Sequence, residues 1–291
     1  MKLLTLNTHS LVEEEYEKKL SDFVDAISRE LPDIIALQEV NQTCTEEVIS
    51  KQQNPKVWEL YCPCKEGCIV RKDNHVFNVV KRLSEKGIFY YWTWLGMKLG
   101  YGKYDEGIAV LSKSPIVEND VFLISQINDY QNWKTRKIIG IRTKANPKDW
   151  FYSVHMGWWQ DEEEPFEAQW KRICCHMKNR ESVWLMGDFN SPAAVKEEGY
   201  ALIKKSGWYD TFLCAVEKDS GITVEKVIDG WKDKIDVKAS DREENDNPVI
   251  NGMRIDQIWS SQEVVIKSSK VIFNGKKESV VSDHYGIVVE W

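Results

Sequence analysis

Apolar residues in this chain fall into short runs separated by polar stretches. "KLLTL" (2–6), "DIIAL" (33–37), "GIAVLS" (107–112), "VFLIS" (121–125), "RKIIGIRT" (136–143), "WFYSVH" (150–155), "VWLMGD" (183–188), "RIDQIWS" (254–260), "KVIF" (270–273) and "YGIVVEW" (285–291) have strand length and are rich in β-branched and aromatic residues. Several are apolar at consecutive positions, as strands covered on both faces should be. Between them, apolar residues recur at steps of three and four. Val12, Tyr16, Leu20, Phe23, Ile27 and Leu31 make one helical stripe, ended by Pro32. Val76, Val79, Val80 and Leu83 make a second, stopped near Gly87, and Phe166, Trp170, Ile173 and Met177 a third. Ser191 and Pro192 read as the N-cap and first turn of a fourth helix running to about Lys205. The polar stretch 238–252 reads as a surface loop. Strands interspersed with helices predict one α/β domain over residues 1–291, its helices covering packed sheets.

The polar ends of the strands carry the candidate chemistry. The first ends in Asn7, the second in Glu39 and "WFYSVH" in His155. Asp256 lies inside an apolar run, and Asp283 and His284 precede the last strand. Alternate residues of a strand face one way, so Asp188 and Asn190 are expected to project together while Phe189 turns into the core. If these ends converge, they form a cluster of carboxylates, amides and two histidines. Carboxylate and amide oxygens without thiolates suit Mg²⁺ or Mn²⁺ rather than zinc. Histidines beside such a site supply acid–base or charge-stabilising groups near neutral pH. The chemistry that uses both is phosphoester hydrolysis by in-line attack of water.

Composition narrows the partners. The net charge is −7, and a duplex-binding protein needs a basic face for phosphate contacts, so nucleic acid is disfavoured. No apolar run approaches the ~20 residues that span a bilayer, and the first residues lack a secretory signal. Seven cysteines, an odd number, read as reduced thiols of a cytoplasmic protein. Cys62, Cys64 and Cys68, with His75 as a fourth group, lack the paired spacing of common zinc modules and read as an irregular insertion. Cys174 and Cys175 read as packing residues of the third helix, and "DEEEPFE" (161–167) as its acidic start.

Taken in order, "LTLNTH", "IIALQEV", "DEGIAVLSKSPI", "TRK", "SVHMGWW", "LMGDFNSP", "RIDQIW" and "VSDHYGI" resemble the endonuclease/exonuclease/phosphatase superfamily over nearly the whole chain. That resemblance implies a four-layered α/β sandwich, two packed mixed β-sheets flanked by helices. It implies Glu39 as the main metal carboxylate, with Asn7 and Asp283 nearby. It implies that Asp188 and Asn190 position water and phosphate. His284 would be general base or hold the phosphate, oriented by Asp256. His155, oriented by Glu106, would stabilise the phosphoryl group or protonate the leaving oxygen, and Arg136 would add positive charge.

Thirteen tryptophans bear on the substrate. Trp184 and Trp259 lie within apolar strands and read as core; Trp92, Trp94, Trp133, Trp158 and Trp159 sit beside site motifs. Aromatic faces pack against the apolar faces of sugar rings, so these tryptophans are candidates for a sugar-binding wall. "YDEGIAVLSK", "SVHMGWW" and "VSDHYG" further resemble a bacterial subgroup containing maltose 6'-phosphate phosphatases. The expectation is therefore a Mg²⁺-dependent phosphomonoesterase for a small phosphorylated sugar. The alternatives are a phosphodiesterase of nuclease or sphingomyelinase type, and a catalytically silent binding protein on the same fold.

Overall fold

A computed structural model describes residues 1–65, 67–228, 230–232, 234, 235 and 252–291. Of the stretch 238–252, all but Gly252 lies outside the described residues. In chain order the elements are β1 (Lys2–Asn7), α1 (Tyr16–Glu30), β2 (Ile34–Gln38), β3 (Gln42–Thr43), α2 (Pro55–Glu59), α3 (His75–Glu85), β4 (Tyr91–Gly100), β5 (Tyr104–Ser112), β6 (Ile116–Leu123) and β7 (Lys137–Thr143). There follow β8 (Asp149–His155), α4 (Phe166–Met177), β9 (Ser182–Asp188), α5 (Gly199–Lys205), β10 (Tyr209–Asp210), α6 (Thr211–Cys214), β11 (Ala215–Lys218), β12 (Asp256–Ser260), β13 (Ile266–Ile272) and β14 (Gly286–Glu290).

The strands form two mixed sheets. One has the order β11-β13-β14-β1-β2-β5-β3, with β4 also paired to β5; the other has the order β10-β12-β9-β8-β7-β6. Consecutive apolar positions feed opposite faces of each sheet. Leu3, Ile34, Leu95, Ile108, Phe151, Trp184, Met186 and Ile258 meet between the sheets. Leu4, Leu37, Trp92 and Trp94 face outward onto Phe23 and Ile27 of α1 and Val76 and Val80 of α3. On the far side Tyr152, Leu185 and Trp259 pack on Phe166, Trp170 and Ile173 of α4. The result is helix, sheet, sheet, helix. Among the described residues no helix is long and apolar enough to cross a membrane.

A polar seam joins the sheets near one end. Gln38 Nε2 donates to Ser153 Oγ at 2.9 Å, and Ser153 Oγ donates to Leu37 O at 2.8 Å. Gly187 makes that approach possible. Its φ is 151°, and a Cβ there would lie 2.0 Å from Val154 O and 2.9 Å from Gln38 Nε2.

Two local expectations are corrected. No helix starts at Ser191-Pro192. Val195 N bonds back to Pro192 O in a turn, and Gln257 Nε2 takes Ser191 O. The helix begins at Gly199, and Ser191 Oγ caps it from nine residues away by accepting Tyr200 N at 2.8 Å. Cys175 is exposed rather than packed, while Cys174 packs beside the α4 core. The acidic run is also more than a helix start, because buried Glu164 accepts the main-chain N–H groups of Gln126 and Ile127.

Candidate active site

Register brings the predicted polar residues together. β8 and β9 are parallel with His155 opposite Asp188, and β12 is antiparallel to β9 with Asp256 opposite Asp188. The other sheet contributes Asn7 at the end of β1, Glu39 just after β2 and His284 just before β14. Glu39 and Asn190 have left-handed backbones, φ 50° and 44°. Such conformations are uncommon outside glycine and are kept where the surroundings enforce them. At Glu39 the carbonyl is held by the hydroxyls of Thr8 and Ser10. At Asn190 the main-chain N–H donates to Asp188 Oδ1 at 2.8 Å and the side chain to Met156 O. Asp188 and Asn190 thus line one cleft through a turn, not through strand alternation, and Phe189 is buried as expected.

Asp188 Oδ2 is the hub. Asn7 Nδ2 donates to it at 3.2 Å and to Glu39 Oε1 at 2.9 Å, bridging the two sheets. His155 Nε2 lies 3.7 Å from the same oxygen and His284 Nε2 lies 4.0 Å from it. His284 Nδ1 bonds Asp256 Oδ2 at 2.9 Å, the pairing expected from the sequence. Around this hub is a cleft of about 360 Å³ that Glu39, Lys98, Glu106, Arg136, His155, Asp188, Asn190 and His284 all line. Arg136 is only 4 % exposed, and its Nε and Nη1 have no partner among the described residues. The donor set also suits a cation. Glu39 Oε2 is buried without a partner among the described residues, and Asp188, Asp256 and His284 offer ligand atoms within 4.8 Å of one another.

Burial and charge push the titrating groups apart. Asp188 is pushed up to about 7, chiefly by burial, with His284 pulling the other way. Glu39 is raised by burial and then by Glu106. His155 falls well below the usual imidazole range because it is buried, and Arg136 and Lys98 lower it further. Burial also opposes charge on His284, but Asp256 with Asp188 and Asp283 outweighs it and holds the ring well above that range. One histidine is therefore neutral and the other charged, a separation that marks distinct acid–base roles.

Glu106, Trp92 and Trp94 are placed otherwise than expected, and both tryptophans pack on the helices. Glu106 does not orient His155. It pairs with Lys98 Nζ at 3.0 Å, and His155 Nδ1 has no partner among the described residues. Asp283, next to His284, is more exposed than the other site carboxylates. It lies at the rim, where His9 Nδ1 is 3.8 Å from its carboxylate and its N–H donates to Glu13. Trp94 is core, because even-numbered β4 residues there face the helices; its Nε1 donates to Val40 O at 3.0 Å. Gly107 leaves room for that ring, since a Cβ would sit 2.7 Å from Trp94 Nε1.

Trp158 and Trp159 do face solvent-accessible space. With Trp133, Trp231, Asp161 and Glu198 they wall a second cavity of about 270 Å³, and Trp133 and Trp158 line both cavities. Trp158 stacks on Trp231 at 5.1 Å, and Trp231 Nε1 donates to Glu198 at 2.8 Å. Trp231 and Lys98 are absent from the sequence reading. Trp231 sits in a stretch without periodicity. Lys98 had a signal, a lone charge inside the apolar "WLGMKLG". His75 lies away from the cysteines, its Nδ1 bonded to Tyr16 OH, while Cys64 Sγ and Cys68 Sγ are 3.3 Å apart.

A profile of the Endonuclease/Exonuclease/phosphatase family matches residues 4–284, and the chain belongs to that family of hydrolases. An endonuclease/exonuclease/phosphatase family protein from Leptotrichia buccalis C-1013-b is 32% identical, with TM-score 0.81 over 100% of this chain and 98% of its own. A mannosyl-6-phosphatase from Bacteroides thetaiotaomicron VPI-5482 shares the fold at 14% identity and TM-score 0.60, over 100% of this chain and 98% of its own. A 3' phosphatase from Neisseria, bound to a product DNA hairpin, does so at 16% and 0.58, over 100% and 99%. No curated protein sequence matches.

Proposed function

We propose that this protein is a divalent-cation-dependent phosphomonoesterase, using Mg²⁺ or Mn²⁺, whose substrate is a small phosphorylated sugar. The observation that carries the reading is Arg136. A buried guanidinium with two unpartnered nitrogens, facing the same cleft as the carboxylates and both histidines, is a receptor for a phosphate's oxygens. Glu39 is the carboxylate assigned to the cation, with Asn7 beside it and Asp283 at the rim. When bound, the cation supplies Lewis-acid stabilisation of charge on the phosphoryl oxygens.

The chain's own groups divide the remaining work. Asp188, pushed up to about 7, takes the proton of the attacking water, with its orientation fixed by Asn190 and Asn7. His284, charged and tied to Asp256, holds a phosphoryl oxygen rather than acting as base. Neutral His155, beside the same Asp188 oxygen, hydrogen-bonds the phosphoryl group, and the departing sugar oxygen takes a proton from solvent as its bond to phosphorus breaks. The tryptophan-walled cavity gives the substrate's uncharged end an apolar surface, and the two acids on its wall, Asp161 and Glu198, are paired with Lys134 and Lys234, so the wall carries little net charge.

Phosphate release from a panel of sugar phosphates, with Mg²⁺ and with chelator, tests the proposal. Release from at least one sugar phosphate, abolished by chelator, is expected. Cleavage of bis(p-nitrophenyl) phosphate or plasmid DNA with no sugar phosphate turned over would place the protein among phosphodiesterases.

A further inference from the structure

Lys98 reaches the cleft through a fault in the β4–β5 ladder. Leu95 pairs with Ile108, yet Lys98 pairs with Glu106, so three steps along β4 match two along β5. The extra residue is a β-bulge, a device that re-aims the side chains beyond it. Strand alternation alone would put Lys98 on the face opposite Leu95; the bulge returns it to the face between the sheets. There its Nζ is 3.0 Å from Glu106 Oε1 and donates to Trp133 O at 2.9 Å. Gly100 leaves space for the carboxylate, since a Cβ there would sit 2.7 Å from Glu106 Oε2. Lys98 and Glu106 are 4 % and 5 % exposed.

Glu106 is thus a further buried carboxylate in the cleft that holds Glu39 and Asp188, and a buried charge needs a partner. We propose that Lys98 is a positioning residue standing where a second divalent ion would otherwise bind, dedicating Glu106 to an ammonium so that the centre takes one cation. The inference rests on the reading that the cleft binds a divalent cation at Glu39. The same ammonium fixes the Trp133 main chain, which joins the aromatic cavity to the phosphate end.

Titration of the full chain with Mn²⁺, followed by electron paramagnetic resonance, reads stoichiometry without turnover. Wild type and Lys98→Arg are expected to bind about one ion per chain, and Lys98→Met about two. Adding Glu106→Gln to Lys98→Met is expected to restore about one. No binding by wild type would overturn the cation reading itself. Two ions in wild type, or one in folded Lys98→Met, would overturn the role of Lys98 alone. If Lys98→Met fails to fold, Glu106→Gln carries the test. It strands the ammonium beside Glu39 and should weaken Mn²⁺ binding about tenfold or more, and unchanged affinity would sink the proposal.

Discussion

The cleft has two ends built on different principles. At the reaction end the groups sit at or beside strand termini, most of them are buried, and the two sheets tie them together: Asn7 bridges Glu39 and Asp188, Asp256 holds His284, and Asn190 holds Asp188. At the aromatic end the walls come from connecting segments. Trp133 is 56% exposed and Trp158 39%, and Trp231 is kept in place by Trp158 and Glu198. Chemistry placed on sheet termini inherits their rigidity, whereas a surface assembled from loops can change without disturbing the sheets. Proteins of the same fold include a mannosyl-6-phosphatase and a 3' phosphatase bound to product DNA, so the fold by itself does not fix the substrate.

Substitutions at the two ends should therefore fail in different ways. The largest effect is expected at the hub. Asp188→Asn keeps the volume and should lower kcat/KM about 10³-fold or more while leaving Tm within a few degrees. A fall in Tm large enough to account for the lost activity would make the residue structural. Next comes Asp256→Asn. In the proposed mechanism His284 holds phosphate only while protonated, and Asp256 does most to raise its pKa, so the variant should lose activity on the alkaline side at lower pH than wild type. A loss of about 100-fold is expected in alkaline buffer and less in acid; equal loss at every pH would remove the charge role.

At the aromatic end the effects should be smaller and substrate-dependent. Trp231→Ala removes the stacking partner of Trp158 and should lower kcat/KM for a sugar phosphate about tenfold, and less for p-nitrophenyl phosphate. Equal losses on both substrates would mean that the two ends are not separable. The smallest kinetic effect is expected from Trp94→Phe, which breaks the bond to Val40 O in the core. It should cost about 1–2 kcal/mol, seen as a Tm lower by a few degrees, with KM unchanged. A raised KM at unchanged Tm would return Trp94 to the substrate wall.

The same contrast decides what the sequence disclosed. Strand-final Asn7, Glu39, His155 and Asp188 were legible because an acid, amide or imidazole closing an apolar run has no packing reason to be there. The four layers were legible because "VWLMG" and "KLLTL" are apolar on both faces. Lys98 was not, because a single inserted residue in β4 reverses the face that alternation assigns. Glu106 was found but given the wrong partner for the same reason. Trp94 resembled a site residue by its nearness to the "DEG" motif, yet only the alternation of a strand that the periodicity missed shows that it points away. Trp231 belongs to no repeating pattern at all, so only the fold brings it to Trp158. The Ser191-Pro192 pair had the chemistry of a helix start, but a turn follows Asn190 there, and the helix begins only at Gly199.

One amide sets the calibration of the whole catalytic end. Because Gln38 spans from the sheet carrying Glu39 to the sheet carrying Asp188, through Ser153 and against a position where only hydrogen is tolerated at Gly187, the gap between the halves behaves like a calliper locked at one opening. Evolution can re-cut the loops around that gap for new cargo, but a wider or narrower setting would misplace both jaws at once.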